Sequence, residues 1–283
     1  MPCCGVQTVA YPVLPELPEV ETTRRGIAPH VTGRSVKTML VRDHRLRWPV
    51  AADIPQLITG LPFHSVDRRG KYLLLGTPRG RLMIHLGMSG SLRVLPLHIA
   101  PEKHDHVDLV LDNDQVLRYR DPRRFGSFFW LADTESHSLL DSLGPEPLSE
   151  AFTGDYLFQT SRGRKVAVKQ FLMDSKVVVG AGNIYANESL YLAGIHPERQ
   201  AGSISRKRYQ LLANYVKQVL AAAIDAGGTT LRDFVKEDGH PGYFRHELKV
   251  YGRGGEACFQ CGKALTEIRL GQRTTVFCRR CQS

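Results

Sequence analysis

The C-terminus carries the pattern that most limits how this chain folds: Cys258-x2-Cys261, sixteen intervening residues, then Cys278-x2-Cys281. Each CxxC knuckle offers two thiolates, and a hairpin between the knuckles closes four of them into a tetrahedron around zinc. A module this small buries too little apolar surface to fold without its metal. Because every position is a protein ligand, none stays open for water, and the zinc is structural. Between the knuckles, IRLGQRTTVF alternates as two strands with a turn near Gly271, which places Arg273 at a hairpin tip. Any one of Arg269, Arg273, Arg279 and Arg280 would pass for a solvated charge, but clustered on one finger they form a surface able to neutralise phosphates. Cys3 and Cys4 form a third close pair. Paired thiols of this kind suit a metal and a reducing compartment better than a disulfide framework.

The chain has 283 residues, the size of two domains. Hydrophobic residues make up 42% and charged residues 23%, which excludes a disordered chain. Lys and Arg number 38 against 28 Asp and Glu, a net charge of +10 that suits a polyanionic partner: DNA, RNA or an anionic membrane face. No stretch approaches the ~18 apolar residues of a span, and the start lacks a secretory n-region and apolar core. A cytoplasmic protein without membrane contact is expected.

Residues 1–14 read as an add-on, with PELPEVE after them running into a helix through Arg24 and Arg25. From Ser35 to Leu131 short apolar or alternating runs predict strands at Tyr72 to Leu75, Leu82 to Leu86 and Val107 to Leu111, with a hairpin turn at Asp112-Asn113-Asp114. This half is expected to be a β-sandwich or barrel. Beyond LGPEPLSEAF the period becomes helical. From Arg206 to Ala226 apolar residues recur at three- and four-residue spacing, capped by Ser205 and stopped by Gly227-Gly228.

Seven segments then fall into one pattern: PELPEVETTRRG from Pro15, RRGKYLLL from Arg68, IHLGMSGSLR from Ile84, PEKHDHVDL from Pro101, LRYRDPRRFG from Leu117, GNIYANESL from Gly182, and the finger. In this order they resemble the formamidopyrimidine-DNA glycosylases over nearly the whole chain after residue 14. The resemblance implies an α+β protein: an N-terminal β-sandwich flanked by helices over 15–145, a helix-two-turn-helix domain over 146–250 and a four-cysteine zinc finger over 251–283. It implies a base-excision-repair enzyme, acting as a monomer on double-stranded DNA, that removes oxidised purines and cleaves the abasic strand by β,δ-elimination.

Excision and nicking by one protein call for an amine nucleophile at C1′ of the deoxyribose. The resemblance makes Pro15 that nucleophile and Glu16 its acid/base; a partly desolvated carboxyl is easily tuned toward neutral pH. Glu19 and Glu21 read as helix-start carboxylates. Lys71 matches a lysine that contacts DNA and aids proton transfer, and Arg273 the finger-tip arginine of phosphate binding and elimination. A base stacked in a duplex must be flipped out and its gap filled; Met88, Arg123 and Phe125 match the inserted residues. His104, Arg123, Arg164 and Asn183 match DNA-backbone contacts, with Gly180 and Gly182 letting the turn before Asn183 approach phosphate closely. The segment Asp233 to Phe244 reads as a loop able to close over the extruded base, with Tyr243 or Phe244 stacking or merely anchoring it.

One departure matters. In the family the nucleophilic proline begins the mature chain, whereas here fourteen residues precede it. An internal proline nitrogen is a tertiary amide whose lone pair is delocalised and cannot attack. The intact motifs favour a start at residue 15, Leu14 standing where an initiator would. Exposure of Pro2 by removal of Met1 is a second route, though Cys3 then replaces the glutamate. A retained extension is a third, leaving a non-catalytic zinc-dependent binder of damaged DNA. Among enzymes, the sister class resembling endonuclease VIII, acting on oxidised pyrimidines, is the alternative, but PELPEVE and the Met88, Arg123, Phe125 set match the purine branch.

Overall fold

A computed structural model describes residues 15–133, 135–228 and 248–283. The N-terminal add-on with Cys3 and Cys4, and the loop from Asp233 to Phe244 with Tyr243, lie outside the described residues.

Helix α1 (Leu17–Val31) leads into two four-stranded antiparallel sheets. Strands β1 (Val36–Val41), β5 (Ser91–Pro96), β6 (Asp105–Leu111) and β7 (Gln115–Arg120) form one, in the order β1-β6-β7-β5. Strands β2 (Ser65–Arg69), β3 (Tyr72–Thr77), β4 (Gly80–His85) and β8 (Ser127–Ala132) form the other, in chain order. Two short helices complete this half, α2 (Ile54–Ile58) between β1 and β2 and α3 (Ser138–Asp141) after β8. The sandwich is held by side chains from both inner faces, among them Leu73, Leu82, Ile84, Leu109, Leu117 and Phe128, and by Val20, Ile27 and Val31 of α1. The predicted turn joins β6 to β7, with Asp114 in the left-handed region at φ 59°. The strands run one or two residues longer than the apolar runs suggest, because ladder pairing carries through polar ends such as Asp105↔Arg120.

Helices then take over. Among the described residues, α4 (Gly154–Ser161), α5 (Val168–Met173), α6 (Asn183–Leu192) and α7 (Arg206–Asp225) enclose a second core of Leu157, Phe171, Leu190, Tyr209, Val216 and Leu220. Helix α7 fits its predicted span: the Ser205 hydroxyl accepts from the Arg208 N–H, the capping bond expected of a serine at that position. The finger contributes β9 (Thr266–Leu270) and β10 (Arg273–Phe277), joined through Gly271 and Gln272 at φ 55° and 60°. Two successive left-handed residues are the geometry of a tight hairpin turn. The finger's small core of Val250, Leu265 and Val276 packs on Tyr191 of α6.

Among the described residues no helix is long and apolar enough to cross a membrane.

Candidate active site

The start of α1 is the point where the two domains meet. Pro15 and Glu16 are both buried there, and Glu19 and Tyr185 are fully enclosed behind them. Glu19 does more than a helix-start carboxylate: it accepts from the Glu16 N–H at 2.9 Å and from the Tyr185 hydroxyl of α6 at 2.8 Å. Glu21 is pinned by Arg24, Arg25 and Arg68. Against the opposing effect of burial, those guanidiniums hold it down at about 2.

Glu16 itself sits against the N-terminus of α6, where its Oε1 accepts from the Ile184 N–H at 3.2 Å. The room comes from two glycines. A Cβ on Gly182 would lie 2.1 Å from the Glu16 carboxyl carbon, and one on Gly180 would lie 2.5 Å from Leu17 Cβ. These two glycines, which the sequence suggested for close phosphate approach, also permit the close approach of Glu16 and of Leu17 in α1. Burial pushes the Glu16 carboxyl up to about 7, with the Lys71 ammonium drawing it down and Glu19 adding to the rise. Its Oε2 has no partner among the described residues, and neither has the buried Oδ1 of Asn183, one residue before the amide that Oε1 engages. Buried polar atoms without partners are rare in proteins.

Lys71 sits in the turn before β3 and lines a cleft of about 160 Å³ between the domains, with His85 and Tyr72 on its side and Met173, Val179 and Gly180 opposite. Burial, with Lys71 and Arg47 nearby, lowers His85 to about 4, so its imidazole is neutral at physiological pH. Its Nδ1 accepts from the Gly87 N–H at 3.0 Å, which leaves the ring fixed against Tyr72.

Lys169 has no counterpart among the residues singled out from the sequence, although it is the lone charge in the apolar run VAVKQFLM. Its buried Nζ donates to Thr274 O at 2.9 Å and Thr275 Oγ1 at 2.6 Å, tying α5 to the strand that begins with Arg273. Burial lowers this amine to about 7, with Glu16 pulling it up and Arg273 pushing it further down. The same interactions place Lys169 within reach of the charges of both Glu16 and Arg273. The hairpin tip is steadied further by Gln170, whose amide stands where a Cβ on Gly271 would go.

A second group lies on the sandwich. Met88 follows β4 in a tight turn and is half-buried; Arg123 and Phe125 are exposed on the neighbouring loop before β8, the guanidinium 5.5 Å from the ring centroid. The two loops touch, since a Cβ on Gly87 would lie 2.4 Å from the Phe125 carbonyl carbon. His104 joins them through its carbonyl, which accepts from Asp121 N. Arg164 stands apart, exposed on the segment between α4 and α5, 6.0 Å from the Phe171 ring centroid.

The four thiol groups converge, all within 4.8 Å of one another. Zinc–sulfur bonds of ~2.3 Å give a tetrahedron with edges of roughly 3.8 Å. Cys258 and Cys281 are 3.9 Å apart and Cys261 and Cys278 3.5 Å, so the cluster fits one structural zinc ion. The Tyr191 hydroxyl of α6 lies 3.3 Å from Cys258 Sγ.

Comparison with known proteins agrees with this architecture. Residues 14–128 match the family model of the formamidopyrimidine-DNA glycosylase N-terminal domain, 143–235 that of its H2TH domain, and 255–283 that of a zinc finger found in FPG and IleRS. The formamidopyrimidine-DNA glycosylase of Stutzerimonas stutzeri is 58% identical over 269 residues, 95% of this chain and 100% of that one. That of Xanthomonas campestris pv. campestris (strain B100) is 59% identical over 270 residues, again 95% and 100%. The MutM (Fpg) protein of Thermus thermophilus superposes with a TM-score of 0.85 at 38% identity, covering 95% of this chain and 98% of that one. A Lactococcus lactis Fpg in complex with DNA containing an abasic site gives 0.88 at 33%, covering 95% and 99%. Sandwich, helix-two-turn-helix unit and four-thiol finger together define a DNA glycosylase architecture. The chain belongs to the formamidopyrimidine-DNA glycosylase family.

Proposed function

We propose that Pro15, as a free secondary amine, and Glu16 carry out the chemistry of this enzyme. The protein is a DNA glycosylase and abasic-site lyase for oxidised purines in base excision repair, its DNA partner being that of the related Fpg complexes. We further propose that it acts as a monomer, on 8-oxoguanine and formamidopyrimidines, with units at 15–145, 146–250 and 251–283. The observation that carries the reading is Glu16: a buried carboxyl raised to about 7, with one oxygen unpartnered among the described residues, immediately after the proline and facing Lys71.

The amine nitrogen attacks C1′ of the extruded nucleotide, and the bond to the base breaks with its electron pair on the base, which takes up the proton given up by the attacking nitrogen and so leaves that nitrogen its lone pair. Glu16 delivers a proton to the sugar ring oxygen, which opens the ring and lets the nitrogen lone pair form an iminium. The iminium acidifies the C2′ protons; loss of one expels the 3′ phosphate, and a second elimination expels the 5′ phosphate. Lys71 and Arg273 bind the flanking phosphates, as an always-charged guanidinium does well. His104, Arg123, Arg164 and Asn183 hold the backbone, while Met88, Arg123 and Phe125 fill the gap left by the base. Unstacking costs a few kcal/mol, offset by contacts to the kinked duplex. Zinc supplies the fold of the finger through Cys258, Cys261, Cys278 and Cys281 and takes no part in bond making.

The test is to incubate the native protein with an 8-oxoguanine duplex, reduce with borohydride and sequence the N-terminus of the product. Borohydride converts the iminium to a stable amine. A covalent adduct on a chain beginning at Pro15 is the expected result; tight binding without any adduct would overturn the mechanism.

A further inference from the structure

We propose that Asp121 is the positioning residue that locks the two gap-filling loops into one unit, so that Met88, Arg123 and Phe125 enter the duplex together. The inference rests on the reading that these three side chains fill the gap.

Asp121 is fully buried beneath the loops, where its carboxylate accepts four hydrogen bonds. Oδ1 takes the Ser89 hydroxyl at 2.6 Å and the Arg123 N–H at 3.2 Å. Oδ2 takes the Tyr119 hydroxyl at 2.9 Å and the Gly126 N–H at 2.9 Å. Ser89 follows Met88 directly, and Arg123 and Gly126 bracket the loop that presents Phe125. The Ser89 oxygen also accepts from Arg123 N at 3.1 Å, closing the link between the loops. Even the main chain of Asp121 takes part: its N–H goes to His104 O and its carbonyl meets His106 Nε2 at 2.9 Å. Burial beside this carboxylate pushes the Tyr119 hydroxyl well above its ordinary value, which keeps it a donor. Gly126 and Gly90 leave room for that hydroxyl, since a Cβ there would fall 1.7 Å and 2.5 Å from it.

A carboxylate is the group this geometry demands. The two hydroxyls can rotate to accept, but the Arg123 and Gly126 N–H groups cannot, and they address different oxygens. An asparagine, however its amide is turned, sets an NH2 against one of these backbone donors. Turned toward Gly126, the NH2 leaves that N–H without its acceptor; turned toward Arg123, it leaves that N–H to Ser89 alone, so the tie between the loops is weakened while the volume of the side chain is kept.

The experiment uses full-length, zinc-loaded Asp121→Asn in single-turnover assays on two duplexes: one with 8-oxoguanine opposite cytosine, one with a preformed abasic site. 2-aminopurine beside the lesion reports extrusion. Misplacing gap-filling groups by about an ångström costs on the order of 10²-fold. Excision is expected to fall by that order with a blunted 2-aminopurine signal, while nicking of the abasic site, where no base has to leave the stack, falls several-fold less. Equal losses on both duplexes with a lowered Tm would mean a purely structural role and overturn the proposal, as would unchanged excision. Should Asp121→Asn not fold, Ser89→Ala removes one link and is held to the same pattern at smaller amplitude. Arg123→Ala and Phe125→Ala separate the two layers of the argument. If they leave excision untouched, the gap-filling reading fails and the proposal with it; if they slow excision and Asp121→Asn does not, only the assignment of Asp121 fails.

Discussion

Glu16 illustrates how a single residue acquires its chemistry from neighbours distant in sequence. Its carboxyl is raised by burial against the start of α6, while Lys71 and the Ile184 amide limit the rise. In the proposed mechanism the working form needs a proton on Glu16 and none on the Pro15 amine. The first is lost as pH rises through about 7; the second condition is met as pH rises through ~8, the usual range of an α-amino group. The single-turnover excision rate is therefore expected to rise up to pH 7, level off between the two values and fall above them. Glu16→Gln should lose about 10²- to 10⁴-fold in excision. Its residual rate should keep no alkaline fall, and a variant retaining that fall would assign it to another group. The identity of Glu16 was legible in PELPEVE, but its environment was not, because nothing local to that segment announces that Ile184 and Lys71 will converge on it. Lys169 and Asp121 are illegible in the sequence for the same reason. A lysine in an apolar run and an aspartate before a proline have ordinary local explanations, and only the fold supplies Thr275 to the one and Ser89 to the other.

At the scale of elements, α5 and α6 act as struts for the finger, and α6 also meets the start of α1. Helix α6 receives Glu16 at its first turn, and through Tyr191 it reaches Cys258 from its last. Helix α5 holds β10 through Lys169. Lys169→Met keeps most of the side-chain volume and removes both hydrogen bonds, leaving buried acceptors unsatisfied at about 1–3 kcal/mol. Hydrogen exchange is expected to speed up across 266–277 and strand cleavage to drop, with zinc retained in full; protected amides in that hairpin would refute the strut. Periodicity revealed α7 and the β9–β10 hairpin because each has its own caps and turn residues, Ser205 for the helix and Gly271 for the turn. Helix α5, six residues long and without a side-chain cap, has no such signature. It owes its existence to packing: Phe171 and Leu172 are buried in the second core.

For the whole molecule, the excess of 10 positive charges is spread over both domains and the finger. Binding should weaken steeply with salt, each phosphate contact adding about 0.9 to the slope of log K against log salt. Arg164→Ala should lower that slope by about 1 and weaken binding to undamaged and damaged duplex alike. Fluorescence anisotropy at several ionic strengths measures both, and an unchanged slope would remove Arg164 from the interface. The meeting of α1 with α6 has one more consequence. The groups proposed to act on the sugar lie far apart in sequence, at Glu16, Asn183 and Arg273, and Lys169 ties α5 to the strand that begins with Arg273. A chain still emerging from the ribosome therefore holds only fragments of a strand-cutting enzyme. On the proposed reading, breaking DNA requires the finger's last thiolates, Cys278 and Cys281, as well as Glu16.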